Sequence, residues 1–283
     1  PEDLWTHLQD YKDRVNSDVL VIPHNSNLSG GNMFRPANYQ GKPLTAADAS
    51  LRAAMEPIVE VTQIKGDSET HPAISPDDEF ADYETWGKFD AAADSVAKGD
   101  AKPAAAKPAA KADAAEKPGK SGAKSGAKEA SARNVAHAGN TTQADLAKQS
   151  YVRSGLQLGL LEQARIGVNP FKLGMIGSTD SHTGLSTADE NNFWGKMGAN
   201  EPGPYRASAL PTFTSSGYAA VWAEENTRAS IFAAMKRREV YATTGPRILL
   251  RFFGGWDFKA TDAVSPDLAG IGYRQGVPMG GDL

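Results

Sequence analysis

Apolar residues along this chain follow two rhythms. Val19-Leu20-Val21-Ile22 is a continuous apolar run, the pattern of a strand covered on both faces. Ile58-Val59-Glu60-Val61-Thr62, Leu173-Gly174-Met175-Ile176 and Val240-Tyr241-Ala242-Thr243 are three more such runs. Between them the spacing turns helical. Leu4, Trp5, Leu8 and Tyr11 share one face over Glu2 to Arg14. Thr45 reads as the N-cap of a helix reaching Met55, which Pro57 ends. Leu146, Val152, Leu156, Leu160 and Leu161 mark the stripe of one long helix from Gln143 to Arg165, closed by Gly167 and Pro170. Asn226 is placed to cap a helix from Thr227 to Arg238, with Ile231, Phe232 and Met235 inward. Gly245-Pro246 then turns the chain, and Ile248 to Phe253 begins a further strand. Strand and helix alternate at least three times, which predicts an α/β fold with parallel pairing, either a layer or a barrel.

Three stretches break the alternation. Residues 25–41 are rich in Asn, Ser and Gly and read as loop. From 91 to 140 the composition shifts to Ala, Lys, Pro and Gly, and large apolar residues almost vanish. Such a stretch buries too little surface to offset its ordering entropy, so it is expected to be a disordered insertion. A polycationic tether is its functional alternative, although acids are interspersed among the lysines. Thr183 to Gly217 form a long connection rich in Gly, Asn and Pro, of the kind that rims active sites. The expected organisation is a first α/β part over 1–90, the insertion over 91–140, a second α/β part over 141–246, and the start of a C-terminal β extension over 247–283.

Composition narrows the chemistry. The chain has no cysteine, which removes disulfides, zinc–thiolate sites and thiol nucleophiles together. A metal would be held by His, Asp, Glu or backbone oxygen, which suits zinc, manganese, iron or magnesium. A formal charge of −4 and basic residues not interleaved with aromatics give no nucleic-acid pattern. No apolar stretch is long enough to span a membrane. The chain opens on Pro1 and stops at Met279-Gly280-Gly281-Asp282-Leu283, and it is expected to be a fragment of a longer protein.

The candidate chemistry sits at strand ends, where α/β folds collect functional residues. Gly177-Ser178-Thr179-Asp180-Ser181-His182 follows one apolar run, and Pro23-His24-Asn25 follows another. Residues i and i+2 of an extended segment share a face, so Asp180 and His182 can both reach one cation. The plainer alternative is an Asp–Ser turn with a surface histidine. His24 is a third metal-ligand candidate, or else a core histidine bonded to a carbonyl. Asn25 either orients a substrate oxygen or caps its loop. Glu60 lies inside an apolar strand, where a carboxylate needs a partner, so it is a metal ligand, a base or half of an ion pair. The loop after it concentrates Lys65, Glu69 and His71. Lys65 is suited to an anionic substrate, and His71, with Glu69 beside it, to proton transfer; an ordinary polar loop is the alternative. Arg247, after Tyr241-Ala242-Thr243-Thr244-Gly245-Pro246, is suited to bidentate binding of phosphate, sulfate or carboxylate, or to a surface salt bridge.

Ile22-Pro23-His24-Asn25 and Gly177-Ser178-Thr179-Asp180-Ser181-His182 resemble the third and fourth metal motifs of the PHP (polymerase and histidinol phosphatase) superfamily. Pro23 to Asn27, Glu60 to His71, Asn169-Pro170-Phe171-Lys172 and Tyr241 to Arg247 resemble one bacterial branch of it labelled only as a domain of unknown function. The resemblance implies part of a distorted (β/α)7 barrel with two or three divalent metal ions (Zn, Mn or Fe) in the complete protein. It implies metal-dependent hydrolysis, most often of phosphate esters, with a small anionic substrate. His24, Asp180 and His182 would stand in the motif positions, while the roles of Glu60, Lys65, Glu69 and His71 stay open. The superfamily's first two metal motifs are absent and would lie upstream of Pro1. A non-phosphate hydrolase acting on a sulfate ester, amide or lactone, a non-catalytic anion- or glycan-binding module, and a metal-free scaffold remain as rivals.

Overall fold

The computed structural model of the chain describes residues 2–64, 66–83, 85, 142–182 and 217–283. At its centre lies the strand Ile58–Gln63 (β1), all six residues of which are buried. Its two faces divide the core, as the period-two alternation of a strand requires. Val59 and Val61 meet Phe34, Val152 and Phe171 on one side. Ile58 joins Ile176 and Val240 on the other, with Leu20, Ile22, Val221 and Met235 against them.

The helices around β1 begin where short polar side chains cap them. Glu2–Val15 (α1) buries Trp5 alone, while Leu4 and Tyr11 of the expected stripe are exposed. The Trp5 indole donates to Glu56 Oε1 at 2.7 Å, and Glu56 also accepts from Arg52 Nε at 3.0 Å. This buried pair fixes α1 against Ala46–Met55 (α2). Thr45 caps α2 in a reciprocal box with Asp48, as its position predicts.

A parallel pair does form. β1 runs alongside Gly174–Gly177 (β3), with Ile58 opposite Gly174 and Glu60 opposite Ile176. The hairpin return Gly66–Asp67 (β2) pairs antiparallel on the other edge of β1. The run Val19–Ile22, expected as a strand, belongs to no sheet. It touches β1's approach through Val21 N–H to Met55 O (2.8 Å) and Glu60 N–H to Pro23 O (3.0 Å). Pro23 has no N–H to extend the ladder.

The single helix expected over 143–165 is two helices, Gln143–Lys148 (α3) and Val152–Ile166 (α4). The break is where distant loops plug in. Phe34 N–H donates to the Gln149 carbonyl at 2.9 Å, and Gly31 N–H to Ser150 Oγ at 2.9 Å. The first amides of α4, Val152 and Arg153, donate to the Ser68 and Glu69 carbonyls at 3.1 and 3.0 Å. Backbone groups orphaned at helix ends thus find partners in the loops after Pro23 and after β2. α4 packs by Val152, Gly155 and Gly159, with Leu156 and Leu158 partly buried against the core, whereas Leu160 and Leu161 of the expected stripe are exposed. Gly167 ends it in the left-handed conformation (φ 79°), as expected.

Gly217–Val221 (β4), a strand with no strong apolar signal, pairs antiparallel with Val240–Thr244 (β5). The ribbon abuts β3, and Gly217 N–H donates to Ser178 O at 2.8 Å. A Cβ on Gly177 would lie 2.8 Å from the Thr243 and Tyr218 carbonyl oxygens, so that approach requires glycine. The helix Arg228–Lys236 (α5) is capped by Thr227, not Asn226, because the Thr227 hydroxyl accepts from Ser230 N–H. Its one fully buried residue is Ala234, with Met235 partly buried against the core.

The strand expected from Ile248 is a strap of exposed residues instead, and only Phe253–Gly254 (β6) is strand. It pairs with Val277–Pro278 (β7) beside the short helix Leu268–Gln275 (α6). The architecture is mixed α/β, and the described residues form no closed barrel. No described helix is long and apolar enough to cross a membrane. The insertion at 91–140 and the connection over 183–216 lie outside the described residues.

Candidate functional site at the strand ends

Glu60 is the hub of the site. It is 6% exposed, in a strand otherwise built for burial. Its Oε1 accepts from Gln63 Nε2 at 2.9 Å and, at the long distance of 3.4 Å, from Asn25 N–H. Its Oε2 accepts from the Ser178 hydroxyl. Gln63 Nε2 also donates to Asn25 Oδ1 at 2.5 Å. One carboxylate therefore ties together the loop after Pro23, the end of β1 and the end of β3, as a buried charge demands.

The neighbours of these anchors are the candidate ligands. His24 immediately precedes Asn25 and is exposed. Asn25 takes the left-handed conformation (φ 55°), which its short amide tolerates. Two residues past Ser178, Asp180 is also left-handed (φ 49°). Its side chain is 12% exposed and its Oδ1 lies 3.6 Å from His182 Nε2, whose side chain is 57% exposed. Three further hydroxyls, Ser26 Oγ, Thr62 Oγ1 and Thr243 Oγ1, are buried beside these segments with no hydrogen-bond partner among the described residues.

The structure thus brings Asn25, Glu60 and Ser178 into contact and sets Asp180 beside His182. Among the described residues it forms no group of three or more His, Asp or Glu side chains able to hold a metal. Asp180 and His182 stand at ion-pair distance, a separation that two ligands of one cation would also have. Two ligands each about 2.1 Å from an ion at a tetrahedral angle lie roughly 3.4 Å apart, close to the separation observed.

The loop after β1 has a different occupation. The Glu69 carboxylate faces the Arg153 guanidinium through two bonds, Nε to Oε1 at 2.5 Å and Nη2 to Oε2 at 2.8 Å. Arg153 Nη1 reaches Asp78 Oδ2 at 2.5 Å. Glu69 first, and Asp78 second, hold that guanidinium firmly charged, and Arg153 in turn depresses the Asp78 pKa. Glu69 is therefore engaged in pinning its loop to α4. His71 is buried, accepts from Ala73 N–H on Nδ1 at 3.1 Å, and rests on the Tyr151 ring at 5.8 Å. Lys65 lies outside the described residues. Arg247 is exposed over the Tyr218 ring (5.3 Å), in a cavity of about 410 Å³ that also includes Thr243.

Gln63 and Arg153 are the contributors that the sequence reading passed over. Gln63 had one signal, an amide closing a buried strand three residues after Glu60. Arg153 had none, because its partners lie 75 and 84 residues away.

The sequence model of a family described as protein of unknown function (DUF3604) matches residues 1–106 and 128–283. The chain belongs to the DUF3604 family. The unmatched residues 107–127 fall inside the Ala/Lys/Pro/Gly-rich stretch, so the DUF3604 match takes in every segment that builds the strand-end site. No curated protein and no solved structure matches the chain.

Proposed function

We propose that this DUF3604 chain carries part of a metal-assisted hydrolase, with phosphate esters as the first substrate class. The observation that carries the reading is the Glu60 hub. It fastens the His24–Asn25 loop and the Ser178–His182 segment to one strand end, where the buried hydroxyls of Ser26, Thr62 and Thr243 have no partner among the described residues. The likeness of those two segments to PHP metal motifs, and the part-barrel reading that goes with it, belong to this proposal.

Asp180 and His182 would hold the ion, and His24 would approach from the neighbouring loop. When bound, the ion supplies Lewis acidity, which polarises the substrate oxygen it meets and eases deprotonation of water. Glu60 acts as a positioning residue, because its oxygens are committed to Gln63, Asn25 and Ser178. Arg247 offers a fixed cation for the anionic group of the substrate: its guanidinium rests on Tyr218 and meets no carboxylate among the described residues. Glu69 and His71 are given no step.

Elemental analysis of wild type and Asp180→Asn tests the reading. Asparagine tolerates the left-handed backbone at 180, so the variant isolates the loss of charge. The expected result is less bound metal and lost turnover of a chromogenic phosphate ester. Unchanged metal content sinks the ligand assignment. A matching panel of sulfate, amide and lactone substrates separates the phosphate reading from other hydrolyses with the same metals. Because no three-ligand group stands among the described residues, a non-catalytic anion- or glycan-binding module is the second reading. It predicts ligand binding without turnover and tolerance of Asp180→Asn.

A further inference from the structure

We propose that the cavity at the far end of the β4–β5 ribbon binds a small molecule bearing an oxyanion, either carboxylate, phosphate or sulfate, with Arg251 as the group that grips it. This cavity lies away from the Glu60 hub, and its Trp222 also borders the Arg247 cavity. Gly217 pairs with Thr244 near Ser178, whereas Val221 pairs with Val240 at the opposite end, four residues or roughly 13 Å along the ribbon.

The cavity encloses about 580 Å³ and is lined by Trp222, Glu224, Arg237, Glu239, Arg251 and Tyr273. That volume lies within the range of small-molecule sites. The Arg251 guanidinium lies 3.6 Å from the centre of the Trp222 ring and 5.7 Å from that of Tyr273. A guanidinium stacked by its face keeps its N–H donors at the edge, free for a planar or tetrahedral anion.

Both rings are themselves fixed. Trp222 donates its indole N–H to Leu250 O at 2.9 Å and its amide to Glu239 O at 3.0 Å. Tyr273 donates to Glu239 Oε1 and stands edge-on to Phe253 at 5.0 Å. Stacking on held rings limits the freedom Arg251 has left to lose on binding.

Charge accounting leaves Arg251 as the unmatched group. Glu239 is 5% exposed, and its oxygens are taken by Tyr273 and by Arg237 Nη2 at 3.3 Å. Burial first, and the Glu239 bond second, raise the Tyr273 pKa, so its hydroxyl stays a donor to Glu239. Arg251 has no carboxylate partner among the described residues. The one other acid in the lining is Glu224, which is exposed at the rim and repels an incoming anion. A purely structural Arg251 would need only the Trp222 face, and its edges would meet water. An anion site uses the edges as well.

The test follows the Trp222 indole N–H signal by NMR, assigned with Trp222→Phe, at fixed ionic strength. The probes are inorganic phosphate, inorganic sulfate and glucuronate, with glucose as the neutral control. The expected result is a saturable shift with at least one anion and none with glucose. Arg251→Gln should raise the midpoint about tenfold or more, and Glu224→Gln should lower it about threefold. Absence of a saturable response to any anion up to about 50 mM overturns the proposal, since weaker association is not a site. A wild-type midpoint in folded Arg251→Gln also overturns it. If Arg251→Gln does not fold, the glucose comparison and Glu224→Gln decide, and an unmoved midpoint in Glu224→Gln counts against the site.

Discussion

Replacing Glu60 by Gln separates two roles for the most buried carboxylate of the candidate site. If Glu60 organises the strand ends, its charge is used in the metal-free protein. The Gln63 amide at 2.9 Å and the Ser178 hydroxyl then form charge-assisted bonds, and Asn25 N–H at 3.4 Å adds little. A hydrogen bond to a charged group contributes about 1.5–3 kcal/mol against about 0.5–1.5 for a neutral one. Converting two such bonds costs about 2 kcal/mol, less whatever is recovered by not burying a charge. Urea unfolding of chelator-treated protein, followed by tryptophan fluorescence, reads this difference as a lower midpoint at unchanged slope. Ser178→Ala should lose a similar fraction, and the double variant should fall short of additivity because both changes break one bond. A carboxylate held in reserve for a cation behaves in the opposite way: in the metal-free state it is an unmatched buried charge, and Gln relieves it. Equal or greater stability of Glu60→Gln without metal would refute the organising role and return Glu60 to the list of direct ligands.

Two further outcomes test the frame around the site. Gly159→Ala sets a Cβ 2.2 Å from Asn169 Oδ1, an atom already fixed by its bond from Phe171 N–H, so it should cost about 2 kcal/mol or more, read as a lower thermal midpoint. An unchanged midpoint would show that α4 and the 169–171 turn are not in contact there. Acid should weaken the fold in a defined window. Asp145 has a depressed pKa, caused first by the Thr142 backbone N–H and then by its hydroxyl. Its contribution is present above the unfolded pKa, near 4, and is lost as pH falls through the lower folded value. Asp145→Asn should flatten the fall of thermal midpoint with pH below about 4, and an identical slope would refute the assignment.

Local chemistry made part of this protein legible without coordinates. The Thr45 box, the glycine stop at Gly167 and the apolar strands at 58, 174 and 240 depend on neighbours within a few residues. The suspicion attached to Glu60 was equally local, since a carboxylate among Val and Ile must find partners. Which partners it finds was beyond sequence reasoning, because Asn25 and Ser178 lie 35 and 118 residues away.

The helix break at 149–151 has the same origin. Periodicity runs straight through it, and only the docking of Phe34, Ser68 and Glu69 makes the interruption favourable. Arg153 similarly removes Glu69 from the roster of free carboxylates by a contact that no spacing encodes. The strap after Gly245 was misread because Ile248, Leu250 and Phe252 look like strand residues, although they lie exposed. Sequence by itself determined where chain segments start, stop and bury a face, because those choices cost free energy locally. The tertiary structure alone decided which buried polar groups meet, because each must satisfy its hydrogen bonds with whatever the fold brings within about 3 Å.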